Sequence, residues 1–262
     1  MEKWCDNCYK VVNMEKTKWK GVFMQPAYRR VLIKLSGEGL MGDKSFGVDG
    51  NIVLNIAKQI KSIHSMGVGV CLVIGGGNIF RGAKEAASGM NRSVADQIGM
   101  MATVMNAMFL QDALQKQGLR VVVMSGLRIP QVCETYIYRR AIKNLGDGKV
   151  IIFAGGTGNP YFTTDTGAAL RACEMGCDAI LKSTQVDGVY DSDPKTNSMA
   201  KRFDEISFEE VVQKQLRVMD LTAITMAQEN NISIVVFSQQ SENSIVDAVC
   251  AKGKFTVIKN RG

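Results

Sequence analysis

Short unbroken apolar runs that end in glycine or small polar residues recur along this chain. Between them lie longer stretches whose apolar residues fall three and four positions apart. The clearest run is Val70-Cys71-Leu72-Val73-Ile74, which passes directly into Gly75-Gly76-Gly77-Asn78-Ile79-Phe80-Arg81-Gly82. Five successive apolar residues, mostly β-branched, fit a strand of a parallel sheet covered on both faces. Similar runs predict strands over residues 30–36, 119–125, 149–154, 178–182, 232–237 and 255–258. Helical spacing fills the gaps. Ile52, Ile56, Ile60 and Ile63 follow a capping Asp49 and stop at Gly67. Ser93 is placed to cap a long helix to about residue 117, with Met100, Met101, Met105 and Met108 as core filler. Further helices are expected near 136–145, from Thr164 or Asp165, over 219–229 and over 242–251, and Ser207-Phe208-Glu209-Glu210 reads as a capping box for another. Residues 40–48 read as irregular, with a small hairpin as one option. Alternating strands and helices call for an α/β fold, here a three-layer α/β/α sandwich around a mainly parallel sheet.

Composition narrows the class. A chain of 262 residues with 46% hydrophobic and 22% charged content can bury one large core. No window approaches the roughly 18 uncharged apolar residues of a membrane helix. The first 27 residues differ from the rest. They carry both tryptophans, lack the apolar core of a secretory signal, and are expected to form a poorly ordered extension to a single domain over 28–262. Cys5 and Cys8 have the spacing of a zinc knuckle, without two further ligands nearby. Seven cysteines in no framework pattern point to reduced thiols and a cytoplasmic protein. Residues 1–30 hold seven Lys/Arg against three Asp/Glu, so much of the net +7 sits there. The mildly basic remainder suits anionic small molecules and gives little support to nucleic-acid binding.

Ligands of open α/β sheets bind at the carboxyl ends of the strands, so the chemistry is sought there. Glycines at 75–77 let the backbone approach a ligand, and freed N–H groups with Arg81 suit phosphate; a plain tight turn with a surface arginine is the alternative. No G-x-G-x-x-G follows a strand, and Lys44-Ser45 stands one residue out of step with a P-loop, so both standard nucleotide fingerprints fail. The single histidine, His64, reads as a surface or packing residue late in its helix. Lys34 interrupts an apolar run. A buried unpaired ammonium is costly, so it either snorkels outward or faces an anion. Phosphoryl transfer asks for cations, N–H donors and an orienting carboxylate, and Lys34, the glycine loop, Arg81 and Asp165 could supply that set.

Six segments, in order, carry a resemblance. They are Lys34-Leu35-Ser36-Gly37-Glu38; Gly75-Gly76-Gly77-Asn78 with Phe80-Arg81-Gly82; Met90-Asn91-Arg92 with Asp96; Gly156-Thr157-Gly158-Asn159-Pro160 with Thr163-Thr164-Asp165; Val186-Asp187-Gly188-Val189-Tyr190 with Asp193-Pro194; and Val218-Met219-Asp220-Leu221. Over about residues 28–258 the chain resembles the bacterial UMP kinases of the amino acid kinase superfamily. The resemblance implies transfer of the ATP γ-phosphoryl group to UMP, with magnesium carried on the nucleotide phosphates and no direct protein ligand. It places an acceptor half at about 28–175 and an ATP half at about 176–262. By the same resemblance Lys34, Leu35, Ser36, Gly37, Gly77, Arg81, Thr184, Tyr190 and Asp193 face ATP. Gly76, Asp96, Thr157, Gly158, Asn159, Pro160, Tyr161, Phe162, Thr163 and Thr164 face UMP, and Lys34, Arg81 and Asp165 carry catalysis.

Asp96 also fits a capping box with Ser93, and Asp165 fits the charge preference of a helix start. Asp187 and Asp220 are further candidates for the catalytic zone, with a structural cap as the other reading of each. A homohexamer, GTP activation and UTP inhibition come with the resemblance alone. Two rivals stand beside it: a related kinase of an acyl or carbamoyl acceptor, and a non-catalytic UMP/UTP-sensing regulator.

Overall fold

The computed structural model describes residues 25–81, 89–239 and 241–261. The expectations for the 1–27 extension fall almost wholly outside them, including the Cys5/Cys8 pair. Nine strands form one sheet in the order β4-β3-β5-β2-β1-β6-β10-β11-β9. They are β1 (Arg30–Leu35), β2 (Gly69–Ile74), β3 (Val121–Ser125), β4 (Glu134–Thr135), β5 (Val150–Ala154), β6 (Ala179–Thr184), β9 (Glu205–Ser207), β10 (Ser233–Ser238) and β11 (Phe255–Lys259). Every pairing is parallel except β10 with β11. β7 (Val189–Tyr190) and β8 (Arg202–Phe203) make a separate antiparallel pair. The chain leaves β1 on one side for β2 and later returns on the other for β6, so the strand order reverses beside β1. A crevice at such a reversal is where α/β sheets hold ligands.

Alternation along the strands feeds two cores. Val31, Ile33 and Leu35 of β1 pack with Ile56, Ile60 and Ile63 of α1 (Gly50–Ser65). Leu32 turns the other way, toward Ala168 and Ala172 of α4 (Thr164–Met175). Each buried isoleucine contributes about 1.5–3 kcal/mol by removal from water. α2 (Arg92–Lys116) shares the α1 layer through Leu110 and Leu114. The α4 layer also takes α3 (Tyr138–Gly146), α5 (Phe208–Gln213) and α6 (Leu221–Glu229), while α7 (Ser244–Val249) packs on the α1 side.

Asp49 caps α1 as expected, and the Ser207/Glu210 capping box opens α5. Other details differ from the sequence reading. Residues 40–48 contain no hairpin: a 3-10 turn (Glu38–Leu40) leads into turns and bends. The cap of α2 is Asn91, not Ser93; its side chain accepts from the Ser93 and Val94 N–H groups. Substituting such a cap costs about 1 kcal/mol. The methionine stripe is not core filler. Met100 is buried, but Met101, Met105 and Met108 are 46%, 48% and 45% exposed. His64 reaches the Gly148 carbonyl at 3.0 Å, tying α1 to the turn before β5.

Candidate active site

Within the β1–β6 pairing, Lys34 lies directly opposite Lys182. Both follow their strands' alternation onto the α4 layer, where β1 otherwise presents Leu32 and β6 presents Ile180. Two ammonium groups side by side, each 12% exposed, repel one another. The start of α4 resolves the conflict. Its N-cap, Thr163, accepts from the N–H groups of Asp165 and Thr166, which fixes Asp165 in the first turn. The Asp165 carboxylate then sits between the lysines, with Oδ1 2.9 Å from Lys34 Nζ and Oδ2 2.8 Å from Lys182 Nζ. The Lys34 contact is an ion pair that leaves Oδ1 without a well-directed hydrogen bond. Lys182 also donates to the Val218 carbonyl, on the α5–α6 connection.

The charges shape one another. Burial pushes the Asp165 carboxyl up, but the two lysine charges outweigh it and hold the group below its ordinary value. Burial lowers the Lys182 ammonium, Asp165 opposes that shift, and Lys34 adds to it; the net result is below the usual lysine range. Asp165 is therefore a fixed anion, and Lys182 an ammonium that gives up its proton more readily than an exposed lysine.

The glycine loop stands where β2 leaves the sheet, against the exit of β1. A Cβ at Gly37 would lie 2.6 Å from both the Gly75 carbonyl and Asn78 Oδ1. One at Gly76 would lie 2.9 Å from Ala102 Cβ and from the Gly99 carbonyl of α2. These glycines are thus demanded by the approach of three backbone segments. Two buried amides hold the approach: Asn106 donates to the Gly75 carbonyl at 2.7 Å, and Asn78 donates to the Gly47 carbonyl at 2.9 Å while bonding to Asn106. Arg81 is held at the rim by an exposed ion pair with Glu38 at 2.9 Å. Leu35 is fully buried, so only its backbone can face a ligand.

Two cavities lie near this cluster, one lined by Thr163 and Thr164 at the start of α4 and the other by Lys182. The first, of about 210 Å³, gathers Gly76, Asp96, Thr157, Asn159, Phe162, Thr163 and Thr164, most of the residues expected to face UMP, together with Gly77, expected to face ATP. Asp96 is not a capping-box partner. Its carboxylate takes Arg92 Nε at 2.8 Å and the Tyr161 N–H at 2.8 Å, which ties α2 to the 157–163 loop. Arg92 stands over the Tyr161 ring at 5.5 Å. Gly158 has φ +82, and a Cβ there would meet the Gly126 carbonyl at 2.8 Å, so the loop needs glycine on both counts.

The other cavity, of about 620 Å³, contains Lys182, Thr184, Tyr190, Asp193 and Val218. Three of these are residues expected to face the adenosine half of ATP. The Thr184 hydroxyl is spent locally, donating to the Val186 carbonyl and accepting from its N–H. Asp187 accepts from the Tyr190 hydroxyl at 2.6 Å. Asp220 caps α6 through the Ala223 N–H and accepts from the hydroxyls of Thr163 at 2.5 Å and Thr166 at 2.8 Å. It braces the start of α4, which supports the cap reading for this residue.

The profile of the amino acid kinase family matches residues 29–238. The chain is 54% identical over 233 residues to the uridylate kinase of Paramagnetospirillum magneticum, covering 89% of this chain and 97% of that one. It is 51% identical over 235 residues to the uridylate kinase of Erythrobacter litoralis, covering 90% and 99%. The chain belongs to the uridylate kinases of the amino acid kinase family. Its fold agrees with solved members. A UMP kinase from Ureaplasma parvum superposes with a TM-score of 0.85 at 39% identity, over 88% of this chain and 99% of that one. One from Bacillus anthracis gives 0.85 at 38% identity, over 90% and 97%.

Against this uridylate kinase framework, Lys182 is the residue that sequence reasoning missed. Like Lys34 in β1, it follows three successive apolar residues of its strand, and that likeness was the available signal. The buried pair Asn78 and Asn106 was also missed as a unit; its signal is an asparagine among the apolar positions of α2.

Proposed function

We propose that this protein transfers the γ-phosphoryl group of ATP to UMP, giving ADP and UDP, by direct in-line displacement between the two cavities. The Asp165-bridged pair of lysines at the carboxyl ends of β1 and β6 carries the reading, because phosphoryl transfer is largely positioning and charge stabilisation. UMP occupies the smaller cavity of the acceptor half, about 28–175. Its ribose is held by Asp96, its base by Thr157, Gly158, Asn159, Pro160, Tyr161 and Phe162, and its phosphate is directed toward Gly76 by Thr163 and Thr164. ATP occupies the larger cavity of the ATP half, about 176–262, with adenosine against Thr184, Tyr190 and Asp193. Its phosphates lie along the backbone of Leu35, Ser36 and Gly37, with Gly77 and Arg81 at the meeting point. Lys34 touches the transferred group, Lys182 neutralises the donor side, and Asp165 keeps both ammonium groups in place. Asp187 and Asp220 hold the walls through Tyr190, Thr163 and Thr166.

Among the described residues no group of three His, Cys, Asp or Glu side chains gathers as a metal cage, and Asp165 is engaged by two lysines. In this reading magnesium would be held on the nucleotide phosphates, which Gly77 and Arg81 would position. When bound, the ion screens phosphate charge. The reading places the enzyme in pyrimidine nucleotide synthesis in the cytoplasm. GTP activation and UTP inhibition belong to it as family expectations, and each is checked by titration into the assay.

The test is ADP release from Mg-ATP with UMP, CMP, aspartate, glutamate or carbamate as acceptor. Turnover on UMP, with little on the others, is expected. Turnover on an acyl or carbamoyl acceptor would favour the related kinase. Folded protein that binds UTP yet turns over nothing would favour the sensing regulator.

Self-association, as a homohexamer, completes the reading. Val94, Ile98, Met101, Met105 and Met108 recur at helical spacing along α2 and are 38–48% exposed. An apolar helix face of that length is suited to a second copy of the chain. Met105→Glu is expected to shift the sedimentation coefficient to a smaller species while the circular dichroism stays unchanged. An unchanged assembly would remove this face from the interface.

A further inference from the structure

A third cavity, of about 640 Å³, is lined, like the ATP-side cavity, by residues of the 185–195 loop. Its other walls are the end of β10, α7 and the turn that precedes β11. The half-buried Phe255 provides an apolar surface, with the 2% exposed Phe237 at its floor, and Lys195, Lys252 and Lys254 provide the cations. None of these three lysines forms an ion pair with a described residue. Two carboxylates, Asp187 and Asp247, also line the space, and Asp187 is occupied by the Tyr190 hydroxyl. Ser244 lies in the same lining and is only 5% exposed, and its hydroxyl has no hydrogen-bond partner among the described residues. A buried hydroxyl left without a partner is costly in a folded protein and is satisfied by a ligand group or an ordered water.

We propose that this cavity binds a small organic phosphate, with a flat apolar body against Phe255 and the phosphate among Lys195, Lys252 and Lys254. Clefts of this size that are mostly apolar with a few polar anchors are suited to ligands of that kind. The site communicates with the ATP side. Val186, Tyr190 and Pro194 line both cavities, so the 185–195 loop is shared between them. A ligand that fixes the loop in one arrangement alters ATP affinity by its differential fit to that arrangement. The coupling rests on ATP occupying the neighbouring cavity, whereas the binding does not.

Calorimetry with 1-naphthyl phosphate, at saturating AMP-PNP and UMP, tests the site directly. One molecule per chain is expected to bind. In the doubly substituted Lys252→Glu, Lys254→Glu chain, affinity should fall about tenfold or more, as two charge-assisted contacts are lost. Both positions are exposed, so the fold survives. Binding that vanishes when AMP-PNP is present would place the probe in the ATP-side cavity, and equal binding by the double variant would make it non-specific; either result overturns the proposal. KM for ATP should change with probe concentration in the parent chain and not in the variant. A constant KM beside intact binding would overturn the coupling alone. Binding that persists in a protein without turnover would count against the kinase reading and leave the site standing.

Discussion

Replacing Asp165 with asparagine is expected to lower kcat for UMP by about two to three orders of magnitude, the range seen when one preorganised electrostatic group is removed from a transition state. The substitution keeps the shape and deletes the charge. Lys34 and Lys182 then face each other across adjacent strands with no anion between them. Breaking a largely buried ion pair costs on the order of 3–5 kcal/mol, chiefly because a charge is left behind uncompensated. The most economical relief is loss of a proton from Lys182, which burial already favours. The active site would then lack one cation and the fixed position of the other.

Thermal unfolding should show the same cost as a lowered Tm. The acid dependence has a definite sign. Because the folded carboxyl lies below its ordinary value, its contribution to stability is present above that ordinary value and disappears as pH falls through the folded one. The asparagine variant should lack that part of the acid profile. An unchanged kcat would remove Asp165 from the reaction, whatever happened to the Tm.

Much of this arrangement could be read from residue order, and the limits follow from what periodicity encodes. The 70–74 run with its glycines, the Asp49 cap and the Ser207/Glu210 box are local signals, and the structure contains each. Lys34 could be singled out because an ammonium inside an apolar strand demands an explanation. Its partner could not. That Lys182 lies opposite Lys34 is a fact of β1–β6 register between residues 148 positions apart in sequence, and no local pattern carries it. The methionines of α2 show a different limit. Spacing says that Met101, Met105 and Met108 share a face, but not whether that face meets the sheet or solvent. β4, β7, β8 and β9 have two or three residues each, too few for alternation to register. The glycines of the 75–77 loop and Gly37 show a further limit: in the structure Gly37 and Gly76 make room for neighbouring backbone, and the Asn78–Asn106 pair bonds to that contact, which no reading of the loop as a ligand approach encodes.

Lys182 offers the sharper separation of charge from structure. Lys182→Met should retain most of the stability, since Asp165 keeps Lys34 as its partner. It should still lower kcat by about a hundredfold, through loss of one preorganised cation. The lowered position of the Lys182 ammonium means that the wild-type enzyme loses this cation on the alkaline side before an ordinary lysine would titrate, below 10.5. In the folded state the charge is disfavoured, so it costs stability at neutral pH, and that cost fades as pH rises through the folded value toward 10.5. The kcat/KM profile, which reports groups of the free enzyme, should accordingly bend downward within that alkaline window. Lys182→Arg keeps a charge that does not titrate in the accessible range. Its activity will be reduced, because a planar guanidinium cannot reproduce both the Asp165 and the Val218 contacts from the same point. Even so, its alkaline limb should flatten. If the arginine variant bends at the same pH as the parent, another group governs the limb, and Lys182 is a structural cation bridging β6 to the α5–α6 connection. If the limb disappears while KM for UMP holds steady, the charge of Lys182 acts on the donor phosphates during transfer.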